Sequence, residues 1–331
     1  KPLSDQQRLF LVESDQLYRA WREAYWRRED YKYGLQWKHI YDAEYLVRGN
    51  SGGGSRSLGR RSAETEKIYE AFIEGKEVAL QKYRGLTDRL ELQKRLNRAA
   101  RLGRMPSIIG ELLIRLDQAH ALSEFRVVGT HALFAYESMA AVEFKIELLA
   151  SGDVDLMFDS RKQLSLVAKK FDGQGLLGLL KKVDKTFEAK SNQQFRAINK
   201  DGFMVDLISQ MRGMHQSVGR MADDDLEAVE IPNLEWLMNA PKIDQVVIAA
   251  NGSPVLMPVS DPRAFAIHKA WLSKRIDREP VKKRRDLNQA IMVYQLLQEY
   301  LPNFPFDTKM MKYLPKEVIE SSLGDVLSKL N

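Results

Sequence analysis

The sequence predicts an α+β fold, with a mixed sheet at the centre of the chain and helical regions on its N- and C-terminal sides. Three observations carry this. Short β-branched or apolar runs recur at 125–128, 153–158 and 203–208, each bounded by polar or turn residues. Helical periodicity near 3.6 residues prevails before position 119 and after position 261. Between two further apolar strands, Asn251-Gly252 is the strongest short-range hairpin signal there is. The 331 residues leave room for two or three domains. We divide them into an N-terminal helix and short-strand region (1–65), a helical segment (66–118), the sheet core (119–260) and a C-terminal helical domain (261–331).

The elements follow in order. Leu9, Phe10, Leu17, Tyr18, Trp21 and Tyr25 set a helix over 5–28, and the Tyr- and Trp-rich stretch 31–47 reads as short strands. Gly49-Asn-Ser-Gly-Gly-Gly-Ser55 is a flexible connection by composition, a natural hairpin tip in preference to an engineered linker. From Ser62 to about Leu102, Glu- and Lys-rich sequence predicts two helices broken near Gly85. Pro106 opens another, with Ile108, Ile109, Leu112, Leu113, Leu116 and Ala119 as a core stripe and Glu111, Arg115 and Asp117 off it. The run 125–128 closes on Gly129-Thr130, and a helix over 131–141 follows directly. Strands at 153–158 and 203–208 come next, then the hairpin 245–250/255–259. Helices at 264–276 and 282–300, and a short one after Pro315, complete the chain.

Composition excludes several classes. There are no cysteines, so neither disulfides nor thiolate metal sites exist. The five histidines are scattered without His-x-x-x-His spacing, which argues against zinc. No apolar run reaches membrane-spanning length. No leader-like segment is visible, although the chain starts at Lys1 rather than Met and so leaves trimming open. These features fit a cytoplasmic protein. A net charge of +6 suggests an anionic partner only mildly. The clusters at Arg60-Arg61, Arg95 to Arg104 and Lys282 to Arg285 say more than the sum does.

The chemistry concentrates at Gly152-Asp153-Val-Asp155-Leu156. Alternate residues of a strand share a face, so Asp153 and Asp155 point one way while Val154, Leu156 and Phe158 point into a core. Paired carboxylates call for a cation, and Mg²⁺ is usually held by one or two carboxylates plus substrate phosphates. The Gly129-Thr130 turn at a helix start offers free N–H groups and a hydroxyl to a triphosphate. Asp206, on a later strand, supplies a third acid. Three carboxylates can hold two metal ions for phosphoryl or nucleotidyl transfer.

These residues resemble the DNA polymerase beta-like nucleotidyltransferase superfamily, and more narrowly a bacterial family of nucleotidyltransferase-fold proteins. The likeness rests on Ser57-Leu-Gly-Arg-Arg-Ser-Ala-Glu-Thr65, Val127-Val-Gly-Thr-His-Ala-Leu-Phe-Ala-Tyr-Glu137, Gly152-Asp-Val-Asp-Leu156, Leu234-Glu-Trp-Leu237 and Asp261-Pro-Arg-Ala-Phe-Ala-Ile-His-Lys269. It runs from about residue 31 onward. The resemblance implies Gly129 and Thr130 as the phosphate-gripping turn and Asp153 and Asp155 as metal ligands. It implies Asp206 as the third acid, a metal ligand or general base. The cofactor would be Mg²⁺, two ions, with Mn²⁺ as a substitute. Thr130 replaces the commoner Ser, and the interval from Gly129 to Asp153 is long, so the loop 142–152 must fold away or cover the site.

Other residues carry competing readings. His131 is a phosphate or base contact, or a helix-start histidine bonded at the surface. Lys269, with His268 and Lys274-Arg275 nearby, is the best triphosphate contact on the C-terminal helices. Lys282-Lys-Arg-Arg285 reads as a solvated helix start, against the alternative that Arg285-Asp286 forms a structural ion pair beside the site. Tyr136 and Glu137 are read as packing, Asp159 as a strand-end turn residue. Trp21, Trp26 and Trp37 read as an aromatic core before base-stacking groups. The expected function is Mg²⁺-dependent transfer of a nucleoside monophosphate from an NTP to an acceptor hydroxyl on RNA, protein or a small molecule. The alternative is a catalytically silent binding or regulatory module, in a bacterial defence or toxin–antitoxin setting. A third reading is an RNA-binding protein that works through its basic N-terminal region.

Overall fold

The computed structural model describes residues 1–50, 53–159, 161, 175–211 and 225–330. Its main sheet is mixed, with strands β4 (Phe125–Val128), β5 (Asp153–Phe158), β6 (Glu188–Lys190), β7 (Gln193–Ile198), β8 (Met204–Gln210) and β9 (Val229–Ile231). They run in the order β4-β5-β8-β7-β6, with β9 beside the C-terminal half of β8. The β5–β8 and β8–β9 pairs are parallel and the others antiparallel. The elements thus make an α+β arrangement with a mixed sheet.

Alternation along β5 and β8 splits the apolar residues between two cores. Val154, Leu156 and Phe158 point into the larger one, with Val205, Leu207 and residues of α3 (Ser107–Gln118), α4 (Leu133–Ala140) and α5 (Gly175–Val183). Val128, Met157 and Ile208 point the other way. There they meet α6 (Glu235–Asn239), α7 (Pro262–Lys274) and α9 (Lys316–Ser328). Asp153 and Asp155 lie on this second face, toward the end of β5 that the apolar cluster leaves uncovered. Between α3 and α7, β10 (Lys242–Ile248) and β11 (Pro254–Ser260) form the expected antiparallel hairpin. Its tip packs on the N-terminal arm: Gly252 has φ +86°, and a Cβ there would stand 2.2 Å from the Lys94 carbonyl oxygen.

That arm pairs α1 (Asp5–Glu29) with α2 (Ala63–Ala99) and carries a separate sheet of β1 (Leu35–Ile40), β2 (Ala43–Gly49) and β3 (Ser55–Arg60). Ser4 and Ser62 each close a capping box at the helix starts. The expected break near Gly85 is absent, because α2 runs unbroken for 37 residues. A lone helical glycine costs only about 1 kcal/mol against alanine. Contacts on both sides of Gly85 outweigh that cost: Tyr83 lies against Trp21 and Tyr25, Trp21 Nε1 donates to Thr87 Oγ1, and Asn97 bonds Ser14. Trp21 therefore serves the core, while Trp26 stacks on His120 and Trp37 lies against Tyr69. Residues 51 and 52 of the Gly-rich connection lie outside the described residues, but Gly49 pairs with Ser55 across a hairpin.

Asp117 departs from the sequence expectation. It is buried rather than off the core stripe, because Arg22 of α1 reaches it at 2.6 Å and Tyr18 donates to it. The loop 142–152 folds against α8 (Pro280–Tyr300), where Gln289 Nε2 donates to the Leu148 carbonyl. Among the described residues no helix is long and apolar enough to cross a membrane.

Candidate active site

Strand register builds the site. Val128, Asp155, Asp206 and Arg196 are successive neighbours across β4, β5, β8 and β7, forming one row on the face opposite the larger core. Asp153 lies two residues before Asp155 and accepts a 2.6 Å hydrogen bond from Ser151 Oγ. Beyond Val128 the chain turns at Gly129, with φ +65°, into a 3₁₀ turn over Gly129–Ala132 that leads into α4. The turn needs glycine twice over. Its φ is one that L side chains rarely adopt, and a Cβ would stand 2.3 Å from Asp155 Oδ2. Gly129→Ala is therefore expected to lower stability by about 2 kcal/mol and to displace the Asp155 carboxylate. An unchanged melting temperature would contradict that close approach.

The row lies beside a cleft of about 310 Å³. Gly129, Asp155 and Lys269 all line it, with Val128, Ile208 and Leu237 as apolar wall and Arg275 and Arg278 as further cations. Lys269 is buried and donates to Asp286 at 2.7 Å, while Arg278 binds the other oxygen of the same carboxylate at 2.8 Å. Asp286 is itself fully buried. The expected Arg285-Asp286 pair is thus replaced: consecutive helical residues point about 100° apart, and Arg285 instead donates toward the Ala150 carbonyl.

The electrostatics are those of crowded acids. Burial, then Asp153 and Asp206, push the Asp155 carboxyl up to about 7, against the pull of Lys269 and Arg196. Burial likewise lowers the Lys269 ammonium, against the attraction of Asp286 and Asp155. Asp206 is clamped bidentately by Arg196 at 2.6 and 2.5 Å. Among the described residues no group of three or more His, Asp or Glu is arranged to hold a metal ion. The excess negative charge at Asp153 and Asp155 still suits a divalent cation, which needs only one or two carboxylates when phosphates complete its shell.

The remaining candidates are placed differently. Thr130 is buried and accepts a 3.3 Å bond from Gln289 Nε2. His131 is 1% exposed, between Phe134 and Phe203. The surface hydrogen bond entertained for it is excluded by that burial, which also lowers the imidazole to about 4. Glu137 pairs with Arg104, and the Tyr136 hydroxyl donates to the Ser260 carbonyl. Asp159 is held low, to about 2: burial opposes this, but bonds from Arg161 and Gln210 prevail. His268 lines the cleft next to Lys269, against Trp236 and Trp271, and burial lowers it to about 3.

These two histidines have a measurable consequence. The unfolded chain takes up protons near pH 6.5, whereas the folded sites resist until about 4 and 3. Their contribution is therefore whole above pH 6.5 and is lost as the pH falls through that window, on the order of 3 kcal/mol apiece by pH 4. Asp155 and Glu137, both raised to about 7, run in the opposite sense. The informative quantity is thus a difference. His268→Gln should gain about 3 kcal/mol on the wild type between pH 7 and pH 4 in urea unfolding, and parallel pH profiles would contradict a buried neutral imidazole.

Arg196, Arg278 and Gln289 escaped the sequence reading. The one available signal was the position of Arg196 ten residues before Asp206, which becomes informative only once the β7–β8 register is known.

No curated protein and no solved structure shows a significant match to the chain. A family model described as Nucleotidyltransferase matches residues 107–315, which include β4, the Gly129 turn, β5, β8 and Lys269. With well over half of its length matched, this chain belongs to that nucleotidyltransferase family.

Proposed function

We propose that the protein transfers a nucleoside monophosphate from an NTP to an acceptor hydroxyl, with release of pyrophosphate and dependence on Mg²⁺. The observation that carries this is one cleft lined by the Gly129 turn, the Asp155 carboxylate and the Lys269 ammonium, within the span of the family match. Asp153 and Asp155 would hold the metal, which when bound neutralises phosphate charge and activates the attacking hydroxyl. Gly129 and Thr130 would meet the β- and γ-phosphates through backbone N–H groups, and Lys269 would add a cation. His131, although buried, sits on the same turn and would keep it in place from behind. Asp206, once released from Arg196, would accept the proton of the acceptor hydroxyl. The apolar wall of Val128, Ile208 and Leu237 suits a base or ribose. The polymerase beta-like superfamily fits this reading, as do Mn²⁺ in place of Mg²⁺ and a cytoplasmic setting.

A second reading, a catalytically silent binding or regulatory module, is favoured by one observation, the Arg196 clamp on Asp206. Incubating the protein with each α-labelled NTP, Mg²⁺ and cellular RNA or protein separates the two. Label should transfer with wild type and vanish with Asp153→Asn/Asp155→Asn. Transfer that survives in the double variant would remove the acids from the mechanism. NTP binding without transfer to any acceptor would favour the silent module.

A further inference from the structure

We propose that the small sheet β1–β3 is a docking surface for single-stranded nucleic acid. Because this names the acceptor side of the transfer, it rests on that reading for its purpose, though not for its binding chemistry. The register sets Lys38, Tyr45 and Arg60 side by side across the three strands. A part-exposed aromatic ring therefore stands between two exposed cations. The neighbouring row turns Trp37 and Leu46 toward α2, with Trp37 against Tyr69 and Arg61 over the Trp37 ring. Folding buries Leu35 and Leu46 on that face and Ala43 and Val47 on the face of Tyr45, which leaves Lys38, Tyr45 and Arg60 as its solvent-facing row.

Charge and exposure point to an anionic, stacking partner. Strand residues 35–60 carry Lys38, Arg48, Arg56 and Arg60 against only Asp42 and Glu44. Glu44 is taken by Arg61, and Asp42, whose side chain is almost fully exposed, reaches Arg60 only at 4.0 Å. Arg48 and Arg56 are cross-strand partners on the Trp37 face and stand apart from this row, and Arg48 donates to the Asp30 carbonyl at 3.1 Å. Lys38 is bonded only to a neutral group, the Ser55 hydroxyl at 3.3 Å. At the β1–β2 turn Tyr41 is 95% exposed and held at φ 54°, beside exposed Ile40. The two-residue turn between paired Ile40 and Ala43 sets that φ, and it leaves the ring wholly in water. Exposed aromatic rings interleaved with cations are how proteins hold single strands without reading sequence: bases stack while Lys and Arg track phosphates. A duplex hides its base faces and cannot use the tyrosines.

Fluorescence anisotropy with a labelled single-stranded oligoribonucleotide, its deoxy counterpart and the matching duplex tests this, with NTP and metal omitted. Wild type should bind the single strands more tightly than the duplex. Lys38→Glu/Arg60→Glu should weaken binding at least tenfold and flatten the log–log salt dependence by roughly 1.4, the share of two phosphate contacts. Tyr41→Ala, at a position with nothing to unfold, should cost roughly fivefold or more, the lower end of base stacking. Preference between RNA and DNA then identifies the strand. No strand binding by wild type, equal affinity for duplex or heparin, or unchanged affinity in the charge-reversed variant would each overturn the proposal. NTP binding measured on the same preparations separates such a failure from failure of the transfer reading, since the cleft residues are untouched.

Discussion

Asp155→Asn is expected to eliminate nucleotidyl transfer while making the apo protein more stable at pH 8. The two effects have one cause. The carboxyl, crowded by Asp153 and Asp206 and surrounded by protein, is raised to about 7, so the folded state binds its proton more tightly than the unfolded chain does. A raised acid contributes stability that is present below its ordinary value near 3.8 and is lost as the pH rises through 7. At pH 8 the wild type bears this cost in full, on the order of 2–4 kcal/mol before solvent screening at the cleft reduces it. Asparagine keeps the shape and discards the charge. Transfer should fall by about three orders of magnitude or more, as expected when electrostatic stabilisation of a phosphoryl transfer is removed. Thermal melts supply a readout independent of turnover: Mg²⁺ with NTP should raise the wild-type melting temperature and leave the variant's nearly unmoved. A variant less stable than wild type at pH 8, or equally stabilised by Mg²⁺, would overturn the account of this carboxylate.

The second large effect belongs to Asp286. Its two oxygens bind buried Lys269, 5% exposed, and part-exposed Arg278. Asp286→Ala leaves those cations together without a counter-charge, so a loss of roughly 3–5 kcal/mol is expected from chemical denaturation. The pair as such is worth much less, because each charge was desolvated to make it. Lys269→Met/Asp286→Leu should therefore recover most of the loss while abolishing the cation at the cleft. NTP affinity should then fall in a variant that folds. If the double variant binds NTP as tightly as wild type, Lys269 has no part in triphosphate recognition. A single variant within 1 kcal/mol of wild type would show that water reaches this pair.

Much of this molecule is written in local chemistry. Alternation fixed the faces of 153–158, so Val154, Leu156 and Phe158 lie in the larger core and Asp153 and Asp155 opposite. The Asn251-Gly252 hairpin and the C-terminal helices follow equally from turn residues, prolines and period. The misses share a different cause. Gly85 signals a break locally, but tertiary contacts along α1 outweigh a cost of about 1 kcal/mol. Asp117 reads as a surface residue until Arg22, 95 residues away, covers it. His131 reads as a helix-start group until Phe203 closes over it.

By itself the sequence determined the alternation of β5, the glycine turn ahead of it and the family to which the chain belongs. Tertiary structure alone decided the charge balance of the cleft. Arg196 meets Asp206 only through the antiparallel β7–β8 register, and Lys269 meets Asp286 and Arg278 only because α7 packs on α8. The reason is physical. Strand period and turn chemistry act between residues a few positions apart, whereas Coulomb pairing depends on distance in space, and the folded chain sets that distance.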